Sequence, residues 1–290
     1  MKRSIFFLAA LMVSVLASAK EYDVRNFSRI EASGIYKINV VKSSEWKVDV
    51  TCSEDLEDRI VVKVVGKTLK LSIKDSDRAK VFDRKSFARV AVQMPHLCGV
   101  ELSGVCTISS EDSFGVKTGD FVLEASGGAK VEGLKVSAPQ ARIIVSGASK
   151  ANVMGKFGSC CLDVSGSSHS TLKLVAESLL IDTSGASHVG VSGEADAVVV
   201  DGSGASAVTL KAFKAQTLSV DLGGASKMYG DEATVGSATF DLSGASFSSI
   251  NVTESISFDL SGASKLEYGG SESLRVGKVD VSGASRVIRK

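Results

Sequence analysis

Residues 241–268 read DLSGASFSSINVTESISFDLSGASKLEY. The tetrapeptide SGAS occurs twice in this stretch, and Asp-Leu precedes it both times. Serine, glycine and alanine are small, and glycine adopts the positive φ that a sharp corner of the backbone requires. The stretch therefore predicts a tight corner that the chain makes repeatedly, with a strand leading into each copy.

Copies of this corner recur along most of the chain, about 20 residues apart. Aligned on the first position of SGAS, they begin at Ser103, Ser126, Ser146, Ser165, Ser184, Ser203, Gly223, Ser243, Ser261 and Ser282, with an earlier copy at Ser33. Self-similarity at a fixed period of this length is typical of a solenoid.

The residues before each corner identify the solenoid as a β-structure. The third residue before the corner is apolar in all ten main copies, from Val100 to Val279, and the residue directly before the corner is mostly apolar. The position between them is acidic in nine of the ten copies, with Ile144 as the exception. Alternation with a period of two places the apolar side chains inside and the acids outside. The pattern predicts an all-β fold, a parallel β-helix with about 20 residues per turn.

Stacked turns would align the outward acids in one column and the residues just past the corner in another. The acidic column is the first candidate binding site and contains Asp163, Asp182, Asp201, Asp221, Asp241 and Asp259. A basic column is the second candidate and contains Lys130, Lys150, Lys227 and Lys265. Neighbouring acids about 5 Å apart would repel by roughly 0.8 kcal/mol in water. The preferred interpretation is that the two columns offset each other on a solvated surface. The alternative is a strip that binds a cation or a glycan.

No pattern predicts catalysis, a cofactor or a metal site. The SGAS corners lack the closing glycine of the G-x-S-x-G nucleophile motif. The spacing of the acidic column resembles the carboxylate pair of a retaining glycosidase, but it recurs in nine copies and singles out no pair. His169 and His188 share one phase in consecutive turns, near Asp163 and Asp182, and such a set could hold a metal. We interpret the two histidines instead as members of the basic column.

Charge and cysteine content narrow the function classes further. The chain has 34 basic and 33 acidic side chains, so its net charge of +1 gives no electrostatic reason to expect nucleic acid or an anionic membrane as partner. The five cysteines, two of them adjacent at Cys160 and Cys161, fit neither a complete disulfide framework nor a zinc-site spacing. They are interpreted as small buried apolar residues.

The N-terminal residues MKRSIFFLAALMVSVLASAK predict export. A basic start, a short apolar run and the small residues of 17–19 indicate a secretory signal peptide at residues 1–19. No later apolar stretch is long enough to span a bilayer, so no integral membrane segment is expected after cleavage. The mature chain is therefore expected in the periplasm, on the outer cell surface or in the medium.

The mature chain divides into an irregular and a regular part. Residues 20–100 are predicted to form irregular first turns and a cap of the β-helix, with a charged, exposed loop at 74–87. Residues 101–290 are predicted to form the regular β-helix with SGAS corners.

Two stretches resemble a known family. The pattern F-x-x-I-E-A-S-G-I-Y-K-I-N-V at 27–40 and VAVQMPHLCGVELSGVC at 90–106, together with the SGAS corners, are similar to the head GIN domain family of auto-transporter adhesins from Bacteroidetes-type bacteria. The resemblance covers residues 21–290. It implies a right-handed parallel β-helix in an exported protein, and it supplies no established activity and no catalytic residues.

These observations favour an exported, non-catalytic, adhesin-like or envelope protein that recognises a glycan or a cell-surface protein through a solenoid face. A polysaccharide lyase or hydrolase is the first alternative, although only 6% of the residues are aromatic and available to stack on sugars. A structural periplasmic scaffold is the second, and self-association of the rods into a homo-oligomer stays open.

Overall fold

The computed structural model describes residues 19–74 and 86–290, which form one 21-stranded sheet wound into a parallel β-helix. The predicted all-β fold and its period of about 20 residues are thereby confirmed. The signal peptide predicted at 1–19 lies outside the described residues, apart from Ala19. Residues 75–85 of the loop predicted at 74–87 lie outside them as well.

The first seven strands mix parallel and antiparallel pairing. They are β1 (Ala19–Tyr22), β2 (Arg29–Gly34), β3 (Tyr36–Lys42), β4 (Lys47–Cys52), β5 (Ile60–Val65), β6 (Thr68–Ile73) and β7 (Ala88–Met94), with a 3₁₀ turn at Glu54–Leu56. Strand β4 pairs antiparallel with β1 and β7, and β5 pairs antiparallel with β6. In the part of the chain that the structure describes, no helix is long and apolar enough to cross a membrane.

The remaining strands follow the repeat, and all their pairings are parallel. They are β8 (Gly99–Gly104), β9 (Thr107–Ser109), β10 (Ser113–Gly115), β11 (Asp120–Ala125), β12 (Lys130–Val145), β13 (Lys150–Val164), β14 (His169–Thr183), β15 (His188–Gly202), β16 (Ala207–Leu222), β17 (Lys227–Leu242), β18 (Phe247–Leu260), β19 (Lys265–Gly269), β20 (Arg275–Val281) and β21 (Arg286–Arg289). From β12 to β18, each strand makes nearly a whole turn, and a four-residue corner separates it from the next.

Burial along one strand shows where the turn bends. In β14, buried and exposed residues alternate from His169 to Ala176 and again from Leu179 to Thr183. Between these runs, Glu177 and Ser178 are both exposed. Successive side chains of a strand point to opposite sides, so two exposed neighbours mark a change of phase. The equivalent residues of the neighbouring turns also interrupt the alternation, so these turns have a second bend in addition to the SGAS corner.

Main-chain hydrogen bonds join each SGAS corner to the corner of the previous turn. The amide of Ser184 donates to the carbonyl oxygen of Val164 at 3.0 Å, and that of Ala186 to Gly166 at 2.8 Å. Gly185 has φ +71°, the left-handed conformation that glycine adopts without steric cost. The sequence-based prediction of a stacked glycine corner is confirmed.

The last serine of the corners from Ser146 to Ser261 is buried inside the solenoid. These residues are Ser149, Ser168, Ser187, Ser206, Ser226, Ser246 and Ser264. The hydroxyl of Ser226 donates a hydrogen bond to the carbonyl oxygen of Gly223 at 2.7 Å, so it pairs with a main-chain group of its own corner. The hydroxyls of Ser149, Ser187 and Ser246 have no partner among the described residues. Small volume, rather than hydrogen bonding, is therefore what all members of this stack have in common.

The C-terminal turn leaves apolar residues open to solvent. Val276, Val279 and Val281 of β20 are 44%, 51% and 43% exposed, although Val279 pairs with Phe258 of the preceding turn, which is buried. These side chains are exposed because no described turn lies beyond β20 and β21 to cover them.

Candidate binding site

The structure stacks the predicted acidic column in register. Asp163 pairs with Asp182, and the pairing continues turn by turn through Asp201, Asp221, Asp241 and Asp259. Glu31, Glu101 and Glu124 extend the same line toward the N terminus, and Ile144 separates them from Asp163. The column therefore runs along one side of nearly the whole solenoid.

Burial and neighbouring carboxylates raise the pKa of Asp201 and Asp241 in the column. Partial burial is the main cause that raises the pKa of Asp201, and the neighbouring charges of Asp221 and Asp182 add to it. The pKa of Asp241 is raised in the same way, first by burial and then by Asp221 and Asp259, while Lys278 opposes the shift. Asp201 and Asp241 thus hold a proton more strongly than isolated aspartates do.

The basic column is present but interrupted. Lys130, Lys150, His169 and His188 follow one another in register. The column then passes through Ala207 and Phe247, which alternate with Lys227 and Lys265. The rings of His169 and His188 stack in parallel, with centroids 4.8 Å apart.

The two columns do not pair with each other. Within 19–74 and 86–290, no ion pair joins a member of the acidic column to a member of the basic column. Lys265 instead contacts Glu267 of its own strand at 2.6 Å. Lys278, which lies outside the basic column, approaches Asp259 at 3.9 Å. Among the described residues, the expected mutual compensation therefore does not occur through direct contacts between the two columns.

A groove that the sequence analysis did not anticipate lies along the second bend. This long groove crosses six successive turns from Gly115 to Gln216 and has a volume of about 810 Å³. Its floor consists of the inward residues Ala138, Phe157, Ala176, Ala195 and Ala215. The next two turns carry Val235 and Val252 at this position, outside the groove lining. Four of these five floor residues are thus alanine, and Phe157 is the one large side chain among them.

Charged side chains form the rim of the long groove. They are Lys117, Lys156, Lys214, Glu177, Glu194 and Asp196, and all are exposed. The Gln216 side-chain amide donates to Asp196 Oδ1 at 3.2 Å. Such a rim offers ammonium and amide donors beside carboxylate acceptors, which suits a polar, extended ligand. Alanine at one interior phase in several turns was the sequence signal that could have located this groove.

Among the described residues, the cysteines and histidines do not gather into a group that could hold a metal ion. Cys160 points inward and Cys161 outward from the same strand, which explains why adjacent cysteines do not bridge. Burial raises the pKa of Cys160 to about 12, and Cys161 adds to the shift, so the thiol stays protonated. All five cysteines are unbonded. In the described part of the chain, no three His, Cys, Asp or Glu side chains gather where they could hold a metal ion.

Comparison with solved structures gives similar folds at low sequence identity. A crystal structure of a "putative adhesin" from Parabacteroides distasonis superposes with a TM-score of 0.51 at 15% identity, covering 94% of each chain. A "putative adhesin" from Parabacteroides merdae superposes with a TM-score of 0.48 at 17% identity, covering 94% of this chain and 95% of the other. No curated protein matches the chain in sequence.

The family comparison covers most of the described solenoid. The family model described as "Putative auto-transporter adhesin, head GIN domain" matches residues 26–192, 158–230 and 173–271. These segments include every SGAS corner except the last, and the resemblance found in the sequence is thereby confirmed. The chain belongs to the head GIN domain family of auto-transporter adhesins.

Proposed function

We propose that this protein is exported to the cell surface and acts there as a non-catalytic, adhesin-like binding protein, with an extended glycan as ligand in the long groove. The observation that carries the proposal is the groove itself, which runs along the solenoid axis over six turns. At a strand spacing of about 4.8 Å, those turns span roughly 24 Å.

Repetition supports a polymeric ligand. Every turn presents a similar backbone segment to the groove, so a chain of repeating units would meet equivalent surroundings at each step. The rim residues Lys156, Glu194 and Gln216 supply charged and amide groups that hydrogen-bond hydroxyls. The floor residue Phe157 and its alanine neighbours supply apolar contact.

The surroundings of the groove carboxylates favour binding over glycoside hydrolysis. A glycosidase needs a general acid that stays protonated, and an apolar, desolvated pocket provides that condition. Glu177, Glu194 and Asp196 are all exposed. Their placement on an open rim suits hydrogen bonding to sugar hydroxyls.

A binding screen with two matched variants tests the proposal. Purified mature protein is titrated by calorimetry against a panel of soluble polysaccharides. Glu177→Ala with Glu194→Ala removes two groove carboxylates, and Asp201→Asn with Asp221→Asn removes two from the acidic column. We expect the groove variant to bind at least ten-fold more weakly, since charged hydrogen bonds contribute about 1.5–3 kcal/mol each, and the column variant to bind like the wild type.

Three outcomes would overturn the proposal in different ways. Loss of affinity in the column variant alone would move the site to the acidic column. Release of new reducing ends during the titration would favour the enzyme alternative. Failure of every polysaccharide to bind would remove glycans as ligands and leave a cell-surface protein or a scaffold role.

A further inference from the structure

A second hollow adjoins the long groove, and three lysines surround it. This lysine hollow has a volume of about 340 Å³ and includes Ser113, Lys135, Ser137, Met154, Lys156 and Lys173 in its lining. It shares Ser137, Lys156 and Val175 with the long groove, so the two form one continuous depression.

The strand register brings the three ammonium groups to this place. Lys135 pairs with Met154 and Met154 with Lys173, so the two lysines lie in line and two turns apart, about 10 Å. Lys156 projects from the turn between them, two residues further along β13. Between these lysines the floor is bare main chain at Gly155, where a Cβ atom would collide with the carbonyl oxygen of Val136. The positions thus ring a shallow recess.

The three lysines make few polar contacts with the residues that the structure describes. Lys135, Lys156 and Lys173 are exposed, and none of them forms an ion pair within the residues that the structure covers. The one hydrogen bond of these ammonium groups there joins Lys135 Nζ to the carbonyl oxygen of Glu111 at 3.1 Å. Like charges repel, so an anion placed among the three would relieve the repulsion and gain attraction from each.

The charged side chains of the depression are unevenly distributed along its length. Its first three turns carry Lys117, Lys135 and Lys156. Lys173 and Glu177 share the fourth turn, Glu194 and Asp196 lie on the fifth, and Lys214 lies on the sixth. The first three turns therefore suit the acidic groups of a ligand best, because lysines are the charged residues of the lining there.

We propose that the lysine hollow is an anion subsite that takes the carboxylate or sulfate groups of an acidic glycan bound in the adjoining groove. The proposal rests on the glycan-binding function and names the class of glycan. Lysine suits this role because its ammonium group is a compact positive charge with three hydrogen-bond donors. It can therefore bind planar carboxylates as well as tetrahedral sulfates.

The test compares two triple variants with the same change of net charge. Lys135→Gln, Lys156→Gln and Lys173→Gln empty the hollow of charge, and Lys130→Gln, Lys150→Gln and Lys227→Gln do the same in the basic column. Each protein is titrated with polygalacturonate, a sulfated glycosaminoglycan and an uncharged dextran, in low and in high salt. The two acidic polymers separate carboxylate from sulfate as the source of the anion.

We expect the wild type to prefer an acidic polymer over dextran by at least ten-fold, with affinity that falls as salt rises. The hollow variant should lose that preference, and the basic-column variant should keep it. Equal losses in both variants would show attraction to net charge alone and would overturn the subsite. Dextran that binds the wild type as tightly as the acidic polymers would overturn it while leaving glycan binding intact, and absence of all binding would overturn both proposals.

Discussion

A Cβ atom at Gly185 would lie 2.7 Å from the carbonyl oxygen of Gly166, the equivalent residue one turn earlier. The same contact, at 2.6–2.8 Å, would arise at each corner glycine from Gly147 to Gly283. The corner therefore needs glycine twice over, for its positive φ and for the close stacking of the turns. This double requirement accounts for the repetition of SGAS.

Gly185→Ala is expected to destabilise the protein strongly. A left-handed alanine costs about 1–2 kcal/mol, and displacement of the stacked corner adds to that cost, so we expect roughly 2–4 kcal/mol in total. Urea denaturation followed by circular dichroism measures the change.

Two other glycines serve as controls for Gly185→Ala. Gly66 has φ +62° but nothing within 4 Å of its Cβ position, so Gly66→Ala should cost only the backbone strain. Gly190 has neither a positive φ nor a close neighbour, so Gly190→Ala should be neutral or stabilising by up to about 1 kcal/mol. Equal stability of the Gly185 and Gly190 variants would refute the stacking explanation.

Asp201→Asn should stabilise the protein at neutral pH. The folded pKa of Asp201 is raised, so the folded state binds this proton more tightly than the unfolded state does. The ionised carboxylate of Asp201 therefore costs stability above its folded pKa, and the cost disappears as the pH falls through that pKa to the unfolded value. Because Asp201 is exposed, we expect a gain below about 1 kcal/mol at pH 7 that vanishes near pH 3.

Asp231→Asn serves as a control for the Asp201 variant, because its expected effect on stability has the opposite sign. A hydrogen bond from Lys290 is the first cause that lowers the pKa of Asp231, and one from Ser249 is the second. The ionised carboxylate of Asp231 thus stabilises the protein above the unfolded pKa, and this stabilisation is lost as the pH falls through the folded pKa. The variant should therefore be less stable than the wild type at pH 7, and thermal melts at both pH values compare the two.

Lys290→Met should loosen the last turn. Lys290 Nζ contacts Asp231 Oδ1 at 2.7 Å and Glu267 Oε2 at 2.9 Å, and so holds the C-terminal residue against two earlier turns. We expect a lower melting temperature at pH 7 and little difference in acid, where both carboxylates are protonated. Lys278→Met, which removes only the 3.9 Å contact with Asp259, should change the melting temperature less.

Amide hydrogen exchange should be fastest at the open C-terminal end. Strand β14 has a paired strand on both sides, whereas β20 and β21 each have one neighbour among the described strands. Local opening of an edge turn exposes little additional apolar surface, so its free energy is low. Protection of β20 equal to that of β14 would mean that another molecule covers this end in solution.

The corners and the acidic column could be predicted because each depends on local rules. Glycine at a fixed interval locates the corner, and alternation around Asp182 or Asp241 fixes which side chains point outward. The family resemblance used the same residues.

The long groove and the separation of the columns could not be predicted in this way. The groove depends on a second bend and on Ala176 and Ala195 lying where Val235 lies further along. Whether Asp182 and His188 contact each other depends on how their side chains are oriented on the two sides of a corner, which the sequence pattern does not specify. The antiparallel pairing of β4 with β7 likewise depends on contacts between segments about 40 residues apart in sequence.

The central claim is that this β-helix is displayed outside the cell as a binding protein. The most direct test is labelling of intact cells with a membrane-impermeant amine reagent, followed by isolation of the protein and peptide mapping. The account predicts that exposed lysines such as Lys150, Lys156 and Lys173 react as extensively in intact cells as in lysed cells, while a periplasmic control protein stays unlabelled. Labelling of these lysines only after lysis would contradict surface display and, with it, the adhesin-like function.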